Sequence, residues 1–219
     1  MKTLLFVDAC MRGHEQSRTY GLCRHFIDEY LKTHPEFQLV HRDLTAGDLP
    51  QLTGPLSDQR EEWPVTQPDD PLLSPAREVA GADVIVIGAP YWDLTFPAAL
   101  KVYLEWASLN NVTFRYTDGG KQEGLSRCAD LIFITTGGGP IQGKNFGYDY
   151  LKALSSMLGI RRTHCVTAEN LDVQGNDVNV ILDRAKEALD KLAAPQRSSS
   201  AGRDVFVFIS TAGDSRSCR

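Results

Sequence analysis

The sequence predicts an α/β fold in which a five-stranded parallel sheet lies between two layers of helices. Short apolar runs alternate along the chain with stretches of helical periodicity, and this alternation is typical of parallel sheets. A length of 219 residues suits one well-buried domain of this class and is short for two. We therefore expect one domain over residues 1–194 and a tail of different composition over residues 195–219.

Five apolar segments have the length and composition of buried strands. They are residues 3–7, 38–42, 83–88, 130–135 and 163–167. Apolar residues repeat with helical spacing between Leu22 and Leu31, and Ser17 and Thr19 are candidate N-caps for that helix. The same spacing predicts further helices over residues 98–109, 148–158 and 178–192.

Two segments lack these patterns. Residues 45–75 contain several prolines and little periodicity, so they predict a long surface excursion before the third strand. The tail begins with a polar, linker-like stretch, and the apolar residues 205–209 follow it. These five residues fit either an added edge strand or an exposed adhesive segment. We expect the tail as a whole to be flexible.

Composition narrows the class of partner. A net charge of -5 and a pI near 5.5 give no general attraction to nucleic acids or acidic membranes, so we expect small-molecule partners. No apolar run approaches the roughly 20 residues of a membrane span. Lys2 and Thr3 lead into only four apolar residues, so we expect no signal peptide.

Cysteine and histidine usage points to a reducing compartment and to no metal. The five cysteines are odd in number and lack C-x-x-C spacing, which predicts neither a disulfide framework nor a zinc site. A cytoplasmic protein is the simplest expectation. The five histidines have no metal-ligand spacing, and G-x-S-x-G is absent, so no catalytic nucleophile is indicated.

The loop after the first strand has the composition of an anion site. Residues 8–19 combine the hydroxyls of Ser17 and Thr19 with the guanidinium groups of Arg12 and Arg18 before a helix start. Such groups suit a phosphate monoester. The alternative is that Ser17 and Thr19 only cap the helix. The glycine signatures of dinucleotide-binding and P-loop proteins are absent.

Two further loops are expected at the same edge, because the carboxyl ends of parallel strands meet there. The loop after the third strand is rich in aromatic side chains, which suit a planar ligand with polar edges or, alternatively, plain core packing. The loop after the fourth strand contains three glycines, which let amides approach a ligand or simply form a turn. These loops contribute Tyr91, Trp92, Leu94 and Phe96, and Thr136, Gly137, Gly138 and Gly139.

With these residues in view, the chain resembles the flavodoxin-like FMN-dependent NAD(P)H oxidoreductases, in particular the azoreductase and quinone reductase branch. The resemblance covers residues 1–194. Its most specific part is Asn-Val-Thr-Phe-Arg-Tyr-Thr at residues 111–117, followed by Gly119-Gly120 and Glu123-Gly124-Leu125. Ala89-Pro90, the aromatic loop, Leu100-Lys101, the glycine loop and Ser17-Arg18-Thr19 also match.

The resemblance implies a flavodoxin-like three-layer sandwich that binds FMN and receives electrons from NAD(P)H. It implies ping-pong hydride transfer to quinone, azo or nitroaromatic acceptors, with the chemistry carried by the cofactor. It further implies a homodimer in which Phe114 helps to roof the partner's site. The implied FMN contacts are Ser17, Arg18 and Thr19 for the phosphate, Tyr91, Trp92, Asp93 and Leu94 for the ring, and Thr136, Gly137, Gly138 and Gly139 for its pyrimidine edge.

Two departures from the azoreductase pattern shape this expectation. The ring loop is closer to the quinone reductase pattern, and Asp93 is expected to contribute its backbone while its carboxylate points away. Ala9 and Cys10 replace frequent serines, which shifts phosphate binding toward Arg12 and Arg18. The alternatives to an enzyme are a flavodoxin-like electron carrier and a cofactor-free regulatory relative.

Overall fold

The computed structural model describes residues 1–195 and the backbone of residues 205–209. The strands are β1 (Lys2–Asp8), β2 (Phe37–Asp43), β3 (Val84–Gly88), β4 (Phe114–Tyr116), β5 (Gln122–Gly124), β6 (Asp130–Thr136), β7 (Arg162–Ala168) and β8 (Val205–Ile209). The helices are α1 (Arg18–Thr33), α2 (Gly54–Thr66), α3 (Ser74–Gly81), α4 (Ala98–Ala107), α5 (Phe146–Leu158) and α6 (Val178–Ala193). None of these helices is long and apolar enough to cross a membrane.

The main sheet is parallel and has the strand order β2-β1-β3-β6-β7-β8. The five predicted strands are confirmed as β1, β2, β3, β6 and β7. Of the two alternatives for residues 205–209, the structure has the edge strand, which pairs with β7 from His164 onward. The predicted flexibility of the tail concerns mostly residues 196–204 and 210–219, which lie outside the described residues, so it stays a prediction.

The two faces of the sheet carry separate cores, as a three-layer fold requires. Side chains alternate along a strand, so Leu4 and Phe6 pack toward α1 and α6. Leu5 and Val7 face the opposite way and join the core formed with α3, α4 and α5. All four of these side chains are fully buried. The central strands therefore read as continuous apolar runs because both of their faces are covered.

The predicted excursion over residues 45–75 contains regular structure that the sequence did not indicate. Helix α2 and a short 3-10 turn, Pro71–Leu73, lie within it. Helix α2 has no apolar stripe and even contains Pro64, so local periodicity could not reveal it. Long-range contacts hold it: Arg60 donates to the Glu105 carbonyl oxygen at 2.7 Å, and Trp63 stacks on Trp106 at 6.2 Å.

Gly88 allows the carboxyl edge of the sheet to pack tightly. A Cβ atom at this position would lie 2.5 Å from Sγ of Cys23 and 3.4 Å from Sγ of Cys10. Any side chain at residue 88 would therefore push α1 or the loop after β1 away from the sheet. The glycine therefore lets α1 and the loop after β1 pack directly against the end of β3.

At the amino ends of the strands, an ion-pair cluster joins the start of β6 to the start of β7. The register pairs Asp130 with Arg162, which donates to both carboxylate oxygens at 2.6 Å, while Nε2 of His164 lies 2.9 Å from Oδ1. Burial by itself raises the pKa of Asp130, but the hydrogen bonds from Arg162 and His164 outweigh it and lower that pKa to about 2. The cluster therefore stabilises the fold most when Asp130 is ionised.

We expect Asp130→Asn to lower the free energy of unfolding by about 2 kcal/mol at neutral pH. The folded-state pKa of about 2 lies below the ordinary value of 3.8, so this stabilisation is complete above the ordinary value and is lost as the pH falls toward 2. Denaturant unfolding from neutral pH downward measures the difference. Asp183→Asn, which removes an exposed ion pair with Lys186, is the control and should cost under about 0.5 kcal/mol. A wild-type advantage over Asp130→Asn that stays constant with pH would contradict this account.

Candidate functional site

The loops after β1, β3 and β6 border one groove at the carboxyl edge of the sheet. Seven of the eleven predicted cofactor-binding residues line it: Ser17, Arg18, Thr19, Tyr91, Trp92, Thr136 and Gly138. Asp93, Leu94, Gly137 and Gly139 belong to the same loops but do not line the groove. The other lining residues are Cys10, Arg12, Gln16, Pro90 and Asp172.

The two hydroxyls of the first loop have different roles. Ser17 is the N-cap of α1 and accepts a hydrogen bond from the Tyr20 amide at 3.1 Å, so it does cap the helix, and its binding of a phosphate stays a prediction. Its own O–H is still available to donate to an anion. Thr19 is buried, and its Oγ1 lies 2.7 Å from Oγ1 of Thr136. This contact ties the start of α1 to the end of β6.

Arg18 spans one end of the groove through contacts that the sequence did not indicate. It donates to Oδ1 of Asp172 at 2.7 Å and to the Leu171 carbonyl oxygen at 3.2 Å. Asp172 lies in the loop after β7. Because loops that follow parallel strands meet at the carboxyl edge, its position after the fifth predicted strand could have indicated that it borders the groove. Among the described residues no carboxylate pairs with Arg12, so its guanidinium is free to bind an anion.

The loop after β3 is a tight two-residue turn. The backbone groups of Trp92 and Thr95 exchange hydrogen bonds of 3.1 and 2.8 Å, with Asp93 and Leu94 at the tip. Both tip residues have positive φ, 48° and 69°, which is a strained conformation for a leucine in particular. The turn leaves the Trp92 side chain 40% exposed, whereas Phe96 is buried in the core as the packing alternative predicted.

Tyr91 connects the aromatic loop to the glycine loop. Its amide donates to the Thr136 carbonyl oxygen, and its phenol donates to the Lys144 carbonyl oxygen, both at 2.9 Å. Burial raises the pKa of the Tyr91 phenol, so it remains a neutral donor at physiological pH. The Phe146 amide at the start of α5 donates to the Leu94 carbonyl oxygen at 3.1 Å. The strained turn is thus held at both of its sides.

The glycine loop uses its carbonyls for structure and leaves two amides open. The carbonyl oxygens of residues 137–139 accept hydrogen bonds from the amides of residues 170–172. The Gly137 amide is also used, because it donates to the Ala168 carbonyl oxygen at 2.9 Å. Within residues 1–195, the Gly138 and Gly139 amides have no protein acceptor. Such amides suit the edge of a polar ring.

Asp93 and Phe114 lie outside the groove. Asp93 is exposed at the tip of the turn, so its carboxylate does not line the groove. Phe114 begins the antiparallel hairpin of β4 and β5, packs against the core formed with α4 and α5, and meets Tyr116 edge-on at 5.9 Å. In one chain Phe114 therefore covers the core, and its contribution to a partner's site stays a prediction.

Comparisons with known proteins find relatives along most of the chain. A family model described as flavodoxin-like fold matches residues 2–193. An FMN-dependent NADH:quinone oxidoreductase of Clostridium beijerinckii is 32% identical over 201 residues, which are 87% of this chain and 96% of that protein. A protein of the same name from Coprothermobacter proteolyticus is 30% identical over 198 residues, covering 88% of this chain and 98% of the relative.

Solved structures share the fold. An azoreductase from Bacillus anthracis superimposes with a TM-score of 0.76 at 24% identity, covering 88% of this chain and 99% of the other. An FMN-dependent NADH-azoreductase from the same species, solved in complex with FMN, also has a TM-score of 0.76, at 20% identity, covering 88% of this chain and 98% of the other. At these identities the likeness establishes the architecture.

We expect Gly138→Ala to destabilise the protein by about 1–3 kcal/mol. A Cβ atom at residue 138 would lie 2.2 Å from Oδ2 of Asp172, whose carboxylate is held by Arg18. Gly139→Ala is the matched control, because nothing lies within 4 Å of a Cβ atom there, and it should stay within about 0.5 kcal/mol of wild type. Denaturant unfolding compares the variants, and equal stabilities would contradict the tight approach at Gly138.

Proposed function

The chain belongs to the flavodoxin-like family that contains the FMN-dependent NADH:quinone oxidoreductases, and on this premise we propose that it is an FMN-dependent NAD(P)H oxidoreductase. The observation that carries the proposal is the groove, where the Arg12 guanidinium, with which no carboxylate of the described residues pairs, the exposed Trp92 and the open Gly138 amide come together. FMN, when bound, supplies the redox chemistry, which we propose runs as ping-pong hydride transfer to quinone, azo or nitroaromatic acceptors. The protein's part is to bind and orient the cofactor and the aromatic acceptor.

The phosphate end of the groove is the start of α1. The amides of the first turn of a helix have no partner within the helix and carry a partial positive charge. The Ser17 hydroxyl and the Arg12 guanidinium lie at the same end. Arg18 adds positive charge, which Asp172 partly neutralises. We propose that Arg18 both forms the end wall of the groove with Asp172 and binds phosphate. Thr19, bonded to Thr136, positions this end of the groove, and we propose that it supports the phosphate site from there.

The ring end of the groove is formed by the strained turn and the glycine loop. Trp92 offers an exposed aromatic face to a flat ligand, and the Tyr91 and Thr136 backbones hold the two loops together. The Gly138 and Gly139 amides would stabilise negative charge at the edge of a reduced ring. The Asp93 carboxylate lies outside the groove and therefore avoids repelling that charge.

We further propose a homodimer that completes the acceptor pocket. A groove of about 560 Å³ lies between α4 and α5 beside Arg60, and its lining is mainly apolar. Phe146 and Tyr150, at the start of α5, are 54% and 36% exposed. A second copy packed on this apolar groove between α4 and α5 would cover these aromatic side chains. Its Phe114 hairpin would then come toward the ring end of the other groove, at the carboxyl edge of the sheet.

A reducing compartment suits the described cysteines. Cys10, Cys23, Cys128 and Cys165 are all free and buried. Burial raises the pKa of Cys128 and of Cys165 to about 12, which keeps both as inert thiols. We propose a cytoplasmic location, which these unpaired thiols suit.

We expect the purified chain to become yellow on addition of FMN and then to consume NADH or NADPH in a quinone-dependent manner. Absorbance spectra and a panel of quinone, azo and nitroaromatic acceptors with both nicotinamides test this. A colourless protein after FMN addition would refute the cofactor assignment. A yellow protein without acceptor-dependent turnover would instead support an electron carrier. Light scattering on the same preparation tests the homodimer, whose mass is twice that of the 24.3 kDa chain.

We expect Trp92→Ala to raise the Kd for FMN about fivefold, because stacking on one aromatic side chain contributes on the order of 1 kcal/mol. Trp92 is already 40% exposed, so its loss should leave the stability of the apoprotein almost unchanged. Fluorescence titration with FMN measures the affinity. Val180→Ala, at a 43% exposed position on α6, is the control. If both variants bind FMN as tightly as wild type, the ring loop is assigned wrongly.

A further inference from the structure

We propose that Asp8, His14 and His41 bind a divalent transition-metal ion, with Zn²⁺ as the probe of choice. The site lies on the α1 face of the sheet, next to the groove but formed by a different set of side chains. It is independent of the proposed function, because neither histidine lines the groove. Two imidazoles and one carboxylate are a ligand set that such ions accept, with the remaining positions open to water.

The strand register creates this cluster. Strands β1 and β2 pair so that Phe6 lies beside His41 and Asp8 beside Asp43. Paired residues point to the same face of a sheet, so Asp8 and His41 project together toward α1. His14 lies in the loop between β1 and α1, and its side chain reaches the same carboxylate. The 27-residue separation of the two histidines resembles no metal motif, which is why the sequence predicted no metal site.

The three ligand atoms have suitable spacing. Nε2 of His14 lies 2.9 Å and Nε2 of His41 lies 3.2 Å from the same oxygen, Oδ2 of Asp8. All three atoms lie within 4.8 Å of one another. Ligand atoms that share one tetrahedral Zn²⁺ at about 2.0–2.2 Å stand about 3.3–3.6 Å apart, so small side-chain shifts would admit the ion.

Both imidazole rings are already held in orientation. His14 stacks on Tyr20 with ring centroids 4.0 Å apart, and His41 stacks on Phe6 at 4.8 Å. The other carboxylate oxygen of Asp8 accepts from the Cys10 amide at 2.9 Å, which fixes the Asp8 side chain. Supporting contacts of this kind reduce the entropy that the ligands lose on binding an ion.

The charges of the cluster also favour a cation. Asp8 is fully buried, and no Lys or Arg of the described residues forms an ion pair with it or with Asp43. Oδ2 of Asp43 lies 4.0 Å from Nε2 of His14, so two carboxylates face two imidazoles. A buried carboxylate needs a compensating positive charge. A divalent ion would supply that charge, and the 40% and 33% exposed histidine side chains leave it a path from solvent.

The test is a calorimetric titration of the whole protein with ZnCl₂ at neutral pH, after removal of metals with a chelator. We expect one Zn²⁺ per chain for the wild type and a loss of affinity of about tenfold or more in His14→Gln and in His41→Gln. Glutamine can still donate a hydrogen bond to Asp8, which protects the fold, and circular dichroism checks it.

His25→Gln is the matched control, because His25 of α1 also faces a carboxylate, that of Asp190 on α6 at 2.7 Å, away from the proposed site. It should bind Zn²⁺ as the wild type does. The proposal fails if the wild type binds Zn²⁺ no more tightly than about 1 mM. It also fails if His14→Gln and His41→Gln retain wild-type affinity, since other side chains would then bind the ion.

Discussion

The structure depends on the shared direction of its strands. Because β1, β3 and β6 are parallel, their carboxyl ends meet at one edge, and the three loops that follow must lie beside each other. Gly88 makes this arrangement possible, since any side chain there would collide with Cys23 of α1. The core beneath the edge is apolar on both faces, so the loops rest on a rigid base.

At that edge the main chain provides much of the recognition chemistry. The turn at Asp93 and Leu94 stores strain that hydrogen bonds from Thr95 and Phe146 oppose. The glycine loop is held by its carbonyls, which leaves the Gly138 and Gly139 amides directed by backbone geometry and not by flexible side chains. A site built in this way is ordered before its ligand arrives, which reduces the entropy cost of binding.

Several polar side chains at the carboxyl edge form hydrogen bonds with other protein groups. These side chains position the loops, whereas groups that lack a protein partner within the described residues are left to bind the ligand. Thr19 and Thr136 join two loops, Arg18 and Asp172 close one end, and Ser17 caps α1. On the neighbouring face, Asp8 gathers two histidines from β2 and from the first loop. The loop that follows β1, with the start of α1, therefore contributes to two polar sites, the groove through Ser17 and Arg18 and the histidine cluster through His14.

The sequence by itself determined the layers, the five main strands and the three loops, because apolar periodicity and glycine content are local properties that burial dictates. It also indicated that Ser17 caps a helix and that Trp92 is a candidate ligand contact. It could not indicate helix α2, which rests on Trp106 and Glu105 some 45 residues away. Only the tertiary structure decided that residues 205–209 form an edge strand, that Asp172 holds Arg18 across 154 residues, and that Asp8 meets His14 and His41. These contacts follow from strand register and loop closure, which depend on the whole chain and leave no periodic trace in the residues themselves.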